Sequence, residues 1–246
     1  MTLPASPRQP APTSPRIVTR KLSKYFGRFT ALDEATLTIE PGEFVVVLGR
    51  NGAGKTTLLR ILGLLQQPSR GELLFDDQPL ASLPVRFRQR IGFVGHETFL
   101  YDELTVQENL LFYARLYGIA NAEQRIAEVL AEMALEARAG SFARHLSRGL
   151  KQRLALARAW LHHPDVLLLD EPATGLDAPT RERMHDWLAR CHRAGHTVIL
   201  SSHELRESLR PATRIVLLEQ GRVAFDGPNH PDRQEEMQAL LVAAAR

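Results

Sequence analysis

The apolar run Phe44-Val45-Val46-Val47-Leu48 leads directly into Gly49-Arg50-Asn51-Gly52-Ala53-Gly54-Lys55-Thr56-Thr57. The run has the length of a strand buried on both faces, as in a parallel sheet. The residues after it fit G-x-x-x-x-G-K-S/T. A helix is predicted over 55–64, with Leu58, Leu59, Leu62 and Leu65 on one apolar face. Strand, glycine turn and helix in this order is the setting a phosphate-binding loop requires. The glycines let the backbone wrap and turn N–H groups toward phosphate oxygens. The helix N-terminus adds a favourable dipole. Lys55 offers a point charge to the β- and γ-phosphates, and Thr56 a hydroxyl to Mg²⁺.

The rest of the chain is compatible with that start. It has 246 residues, enough for one large domain or a core with a small subdomain. A net charge of +3, with Lys and Arg scattered, carries no nucleic-acid footprint. The single cysteine, Cys191, excludes an internal disulfide and reads as a small, partly buried helix residue. No apolar run approaches the ~18 residues needed to span a bilayer. The Pro-, Ser- and Ala-rich start lacks a signal peptide's apolar core and predicts a disordered lead over 1–16.

Further strands are predicted at Ile17–Leu22, Ala35–Ile39, Leu73–Phe75 and Ile91–Val94. From Thr105 to about His163 the periodicity turns helical. Thr105-Val106-Gln107-Glu108 is a capping-box signature. Ile126, Val129, Leu130 and Met133 share one helix face, as do Leu150, Leu154, Ala157 and Leu161. Strands return at Val166–Leu169, Thr197–Leu200 and Arg214–Leu218, and Arg222–Phe225 reads as a closing hairpin strand. The tail from Asp232, with Met237, Leu240 and Leu241 apolar, is predicted helical. His162 and His163 close a helix, where positive charge suits the dipole. The plan is α/β with an inserted helical subdomain.

Two more features add chemistry. Asp170 ends an apolar strand, where it can hold Mg²⁺, and Glu171 beside it can activate a water as general base. Upstream, Leu146-Ser147-Arg148-Gly149-Leu150-Lys151-Gln152-Arg153 is a Ser-x-Gly turn opening a basic helix. Its place before the Asp-Glu pair suggests an ATP site completed by a second copy of the protein.

From Ile17 onward the chain resembles the ATP-binding subunit of ABC transporters. LSRGLKQR is similar to that family's signature, commonly LSGGQ before a basic pair; Arg148 and Leu150 are its departures. The resemblance implies a P-loop NTPase (RecA-like) core with a mainly parallel sheet. It also implies an N-terminal antiparallel β subdomain and an α-helical signature subdomain at about 97–163, within a single domain over 17–246. It implies ATP and Mg²⁺ as cofactors, with Lys55, Glu171 and His203 as catalytic residues and Thr56 and Asp170 on the metal. Gly49 to Thr57 would hold the triphosphate, and Phe26 (or its neighbour Tyr25) would stack on adenine. Ser147 and Gly149 would reach the γ-phosphate on the opposite subunit, with Arg148 between them in the nucleotide site. Asp177, in Gly175-Leu176-Asp177, would lie in the loop that crosses the interface, and His203 would sense the γ-phosphate.

His96 stands where most members carry glutamine, in a loop linking nucleotide to the membrane subunit. Gly95-His96, then Leu100-Tyr101, Leu104-Thr105 and Glu108-Asn109-Leu110, is similar to the haem exporter ATPase of cytochrome c maturation, with Glu97 replacing that group's glutamine. The implied partners are a second ATPase subunit, identical or homologous, and integral membrane permease subunits, at the cytoplasmic face of the membrane. Drug, lipid or polysaccharide export is the alternative cargo. A soluble ABC ATPase is a different class, but such proteins usually have tandem domains or a long coiled coil. A non-hydrolysing regulator is a third, against which Glu171 argues.

Overall fold

The computed structural model describes residues 14–203 and 212–229. The helix predicted from Asp232 lies outside them. Ser14 to Arg16, expected to close a disordered lead, are already fixed. Ser14 Oγ donates to the Asp165 carbonyl (2.8 Å) and accepts from the Thr197 N–H (3.1 Å), and the Arg16 N–H donates to Asp76.

Two sheets carry the chain. The smaller is antiparallel, with order β2-β1-β4-β5, from β1 (Ile17–Phe26), β2 (Phe29–Ile39), β4 (Arg70–Phe75) and β5 (Gln78–Pro79). The larger comprises β3 (Phe44–Leu48), β6 (Ile91–Val94), β7 (Val166–Asp170), β8 (Thr197–Ser202), β9 (Arg214–Glu219) and β10 (Arg222–Pro228). Its order is β10-β9-β3-β8-β7-β6, parallel except for the β9–β10 hairpin at one edge. The helices are α1 (Lys55–Leu62), α2 (Val106–Leu116), α3 (Ala122–Glu132), α4 (Arg148–Trp160) and α5 (Ala178–Arg193).

The period of a strand divides the core in two. Phe44, Val46 and Leu48 enter a cluster with Leu110 of α2, Ile126 of α3, Leu154 of α4 and Leu188 of α5. Val45 and Val47 point the other way, to Leu58 of α1 and to Leu22 and Leu37 of the antiparallel sheet. Both faces of β3 are therefore dry, which is why its sequence is apolar throughout.

β1 and β2 run further than the predicted strands. Pairing shifts between Thr19 and Leu22 and between Leu22 and Lys24, and Lys21 and Glu34 take left-handed φ values of 45° and 51°. Such bulges break the apolar alternation that marks a strand. α1 is shorter than predicted. Gly63 caps it, and Leu65, placed on the apolar face, is 54% exposed.

The helical stretch is tied by side chains. Thr105 Oγ1 accepts from the Glu108 N–H (3.2 Å), and Glu108 Oε2 from the Thr105 N–H (2.8 Å), completing the capping box. Arg125 of α3 donates to the carbonyls of Leu161 (2.9 Å) and Trp160 (2.8 Å), closing the C-terminal end of α4. Glu132 accepts from the indole N–H groups of both Trp160 (2.9 Å) and Trp187 (3.0 Å). Cys191 is buried on α5, and burial pushes its thiol pKa up.

His162 and His163 do not carry the charge expected of them. His162 stacks on Tyr117 at 3.9 Å, and its Nε2 lies 3.2 Å from the Ile91 carbonyl. Burial lowers both histidines to about 4, so neither offers the helix dipole a cation at neutral pH.

Candidate nucleotide site

β3 delivers the chain to the glycine loop, and α1 leaves it. No side chain caps α1, and its first turn holds no acid. The first N–H groups of a helix have no partners within it, so these face the loop. Gly54, the N-cap, sits at φ 104°, where a Cβ would lie 2.4 Å from the Ala31 carbonyl oxygen. Only glycine fits there.

A cavity of about 300 Å³ opens over this loop. Arg50, Asn51, Gly52, Gly54, Lys55, Thr56 and Thr57 form one side of it; His96, Asp170 and Glu171 close another. Gly49 and Ala53 are buried behind the loop. Lys55 is almost fully buried, and its Nζ donates to the carbonyls of Gly49 (2.7 Å) and Arg50 (3.1 Å). It also pairs with Glu171 Oε1 at 3.2 Å.

The acidic pair sits at the end of β7. Ser201 of the adjacent β8 donates its hydroxyl to Asp170 Oδ1 (2.7 Å) and accepts the Glu171 N–H (3.0 Å). Glu171 has φ 49°, a left-handed turn that directs its side chain away from the strand line. Its Oε2 meets His203 Nδ1 at 3.1 Å and the Thr174 hydroxyl at 3.4 Å. Lys55, Glu171 and His203 thus form one connected chain of polar contacts.

The other predicted residues stand apart from this cavity. Ser147 is exposed and caps α4, accepting from the Leu150 N–H. The Arg148 guanidinium crosses Gly175, where an added Cβ would lie 2.5 Å from it. Gly149 faces Thr180 and Leu176. Asp177 caps α5 by accepting from the Thr180 N–H (3.3 Å), and the Thr180 side chain, then that N–H, hold its carboxyl below its ordinary pKa. None of these four lines the Lys55 cavity. Phe26 does not line it either; it is 48% exposed, with Lys24 Nζ 5.4 Å from its ring centre. Tyr25 lies under Arg70. Two site residues were missed. Phe29, paired with Phe26 across the β1–β2 turn, lines the cavity, and Ser201 holds both acids. Ser201 was foreshadowed by the Ser-Ser pair after an apolar strand; Phe29 had no signal beyond its type.

Comparison with known proteins agrees with this layout. The family model for ABC transporters matches residues 32–174. The sulfate/thiosulfate import ATP-binding protein CysA 1 of Agrobacterium fabrum is 36% identical over 225 residues, covering 85% of this chain. The chain spans 65% of that relative's length. The ABC transporter ATP-binding protein NatA of Bacillus subtilis is 37% identical over 204 residues, covering 80% of this chain and 81% of its own. Among solved structures, the dimeric, post-hydrolysis ATP-binding cassette MJ0796 bound to ADP and Pi superposes with a TM-score of 0.80. It is 29% identical, covering 86% of this chain and 98% of that one. Phosphate loop, strand-end acids, Ser-capped basic helix and these likenesses converge: the chain belongs to the ABC transporter family.

Proposed function

We propose that this chain hydrolyses ATP as one of a pair of ATPase subunits docked on integral membrane permease subunits. One observation carries the pairing. The Lys55 cavity and the Ser147 turn are both formed, yet they do not meet within one copy. Two copies, or one with a homologue, closing head-to-tail bring each turn onto the other's cavity. The dimeric cassette named above supports this arrangement.

In that closed site the backbone from Gly49 to Thr57 wraps the triphosphate, and Lys55 turns its charge to the β- and γ-phosphates. Phe26, or its neighbour Tyr25, stacks on adenine beside the cavity, whose wall carries Phe29. The oxygens of Thr56 and Asp170 suit a hard cation such as Mg²⁺, which would neutralise charge on the β- and γ-oxygens when bound. Glu171 takes the proton of the attacking water, and His203 orients it through their 3.1 Å contact. From the partner copy, Ser147 and Gly149 contact the γ-phosphate, with Arg148 between them, and Asp177 lines the interface. The γ-phosphate favours the closed state because only that state contacts it from both sides. Among the described residues no helix is long and apolar enough to cross a membrane. In this reading the work passes to the permease at the cytoplasmic face, through the helical segment and the His96 loop.

Glu171→Gln tests this. The variant should bind ATP, run as a dimer on size exclusion, and release almost no phosphate. Turnover near wild type removes Glu171 from the role of base.

For cargo, we propose haem export in cytochrome c maturation, carried by the run from Gly95 to Tyr117 and by the place of His96 in the cavity wall. Neither relative named above is a haem exporter, and sulfate or thiosulfate is the competing cargo on the strength of CysA 1. Deleting the protein should abolish covalent haem attachment to c-type cytochromes. Intact cytochromes with lost sulfate uptake would decide for the competitor.

A further inference from the structure

A second cavity, of about 260 Å³, opens between the C-terminal end of α3 and the facing sides of α4 and α5. It shares no residue with the phosphate cavity. Its floor is apolar: Leu156, Leu176, Met184 and Trp187 are all buried. Its mouth is cationic, with Arg153 on α4 and Arg183 and Arg190 on α5. Two acids also line it. Glu132 already accepts from two indole N–H groups, which leaves Asp186 against three guanidiniums.

Arg153 and Arg183 have no carboxylate within ion-pair distance among the described residues, and Arg183's one hydrogen bond goes to the Thr180 hydroxyl (3.4 Å). Burial and then the neighbouring Arg183 charge press the Arg153 guanidinium toward losing its proton, while the Asp177 carboxylate opposes them. Three guanidiniums around a dry floor outnumber the two carboxylates that offset them, Asp177 and Asp186, and the excess charge favours an anion. The volume lies below the usual range for drug-sized ligands, which fits one or two rings and excludes a nucleoside triphosphate.

We propose that this cavity is a binding site for a small amphipathic anion, with a flat apolar body against Trp187 and Leu156 and a carboxylate, sulfonate or phosphate between Arg153 and Arg183. The chain's two tryptophans make it testable, because Trp187 lines the cavity and Trp160 lies edge-on to it at 5.5 Å. The probe is the two-ring anion 5-(dimethylamino)naphthalene-1-sulfonate, titrated into the full-length protein and followed by energy transfer from tryptophan. Saturable one-to-one binding is expected, undisturbed by Mg-ATP. Arg153→Gln combined with Arg183→Gln should weaken it about tenfold or more, the scale of a lost charge-assisted contact. Arg86→Gln with Arg88→Gln, which removes two cations elsewhere, should leave it unchanged. Displacement by Mg-ATP, equal loss in both double variants, or no saturation overturns the proposal. A supporting titration is then repeated with anionic phospholipid vesicles. Competition by soluble aryl carboxylate but not by vesicles identifies a free metabolite-like anion, and the reverse a lipid headgroup.

Discussion

Acid should weaken this fold through one histidine. His162 Nε2 faces the Ile91 carbonyl and therefore carries the proton, while Nδ1 is buried with no partner. Protonation would place a second N–H, and a charge, where nothing accepts them. Burial is the largest cause of the lowered pKa, and the Arg158, His163 and Arg125 charges push the same way; only the Ile91 carbonyl opposes them. The group moves from 6.5 in the unfolded chain to about 4 in the fold. A depressed folded value means the unfolded chain binds more protons between those limits. The stability is thus present above about pH 6.5 and is lost as pH falls toward 4. Linkage gives a loss of about 2 kcal/mol between pH 7 and pH 5, and about 3 kcal/mol once both states are protonated. His163 shifts in the same direction but is exposed, so solvent screens its share. The control is His162→Phe, which keeps a ring on Tyr117 and removes the titration. Urea unfolding followed by tryptophan fluorescence, at pH 7 and pH 5, gives the two differences. The wild type should lose about 2 kcal/mol more than the variant on acidification. Equal losses in the two proteins would refute the reasoning.

Other outcomes are expected from single positions. Gly54→Ala forces a Cβ against the Ala31 carbonyl at φ 104°; strain of roughly 1–3 kcal/mol should disturb the loop and weaken binding in a fluorescent-nucleotide titration. Thr105→Ala removes the α2 cap and should lower stability by about 1 kcal/mol in urea melts. The Glu108 carboxyl is held below its ordinary value by its Thr105 bonds, so the cap's contribution is present above the ordinary Glu range and fades as pH falls through the lowered value. Ser147→Arg should leave ATP binding by the isolated chain intact and block ATP-driven dimerisation on size exclusion. Loss of binding in that variant would contradict the division of the site between two copies.

The phosphate loop was legible because its chemistry is local: glycines, a lysine and a hydroxyl at fixed spacing beside an apolar strand. β3 and β6 were found with their bounds, since both are apolar runs flanked by a change of residue type. β1 beyond Leu22 was not, because bulges at Lys21 and Glu34 destroy the alternation that reveals a strand. The charge state of His162 depends on Tyr117 and Ile91, far off in sequence, so its place after a helix suggested the wrong sign. Ser201 and Phe29 enter the site through strand pairing, which no short window displays. The Ser147 turn was readable as a cap, but its separation from Lys55 is a fact of three dimensions.

The ion pair of Lys55 with Glu171 has a consequence for timing. Lys55, proposed to bind phosphate, and Glu171, proposed as base, pair at 3.2 Å. An ammonium so engaged must be drawn away before it can serve a phosphate. An arriving triphosphate competes with Glu171 for Lys55 and in doing so frees the Glu171 Oε1 oxygen. One charge thus has two effects: the substrate that takes Lys55 also releases the carboxylate beside it.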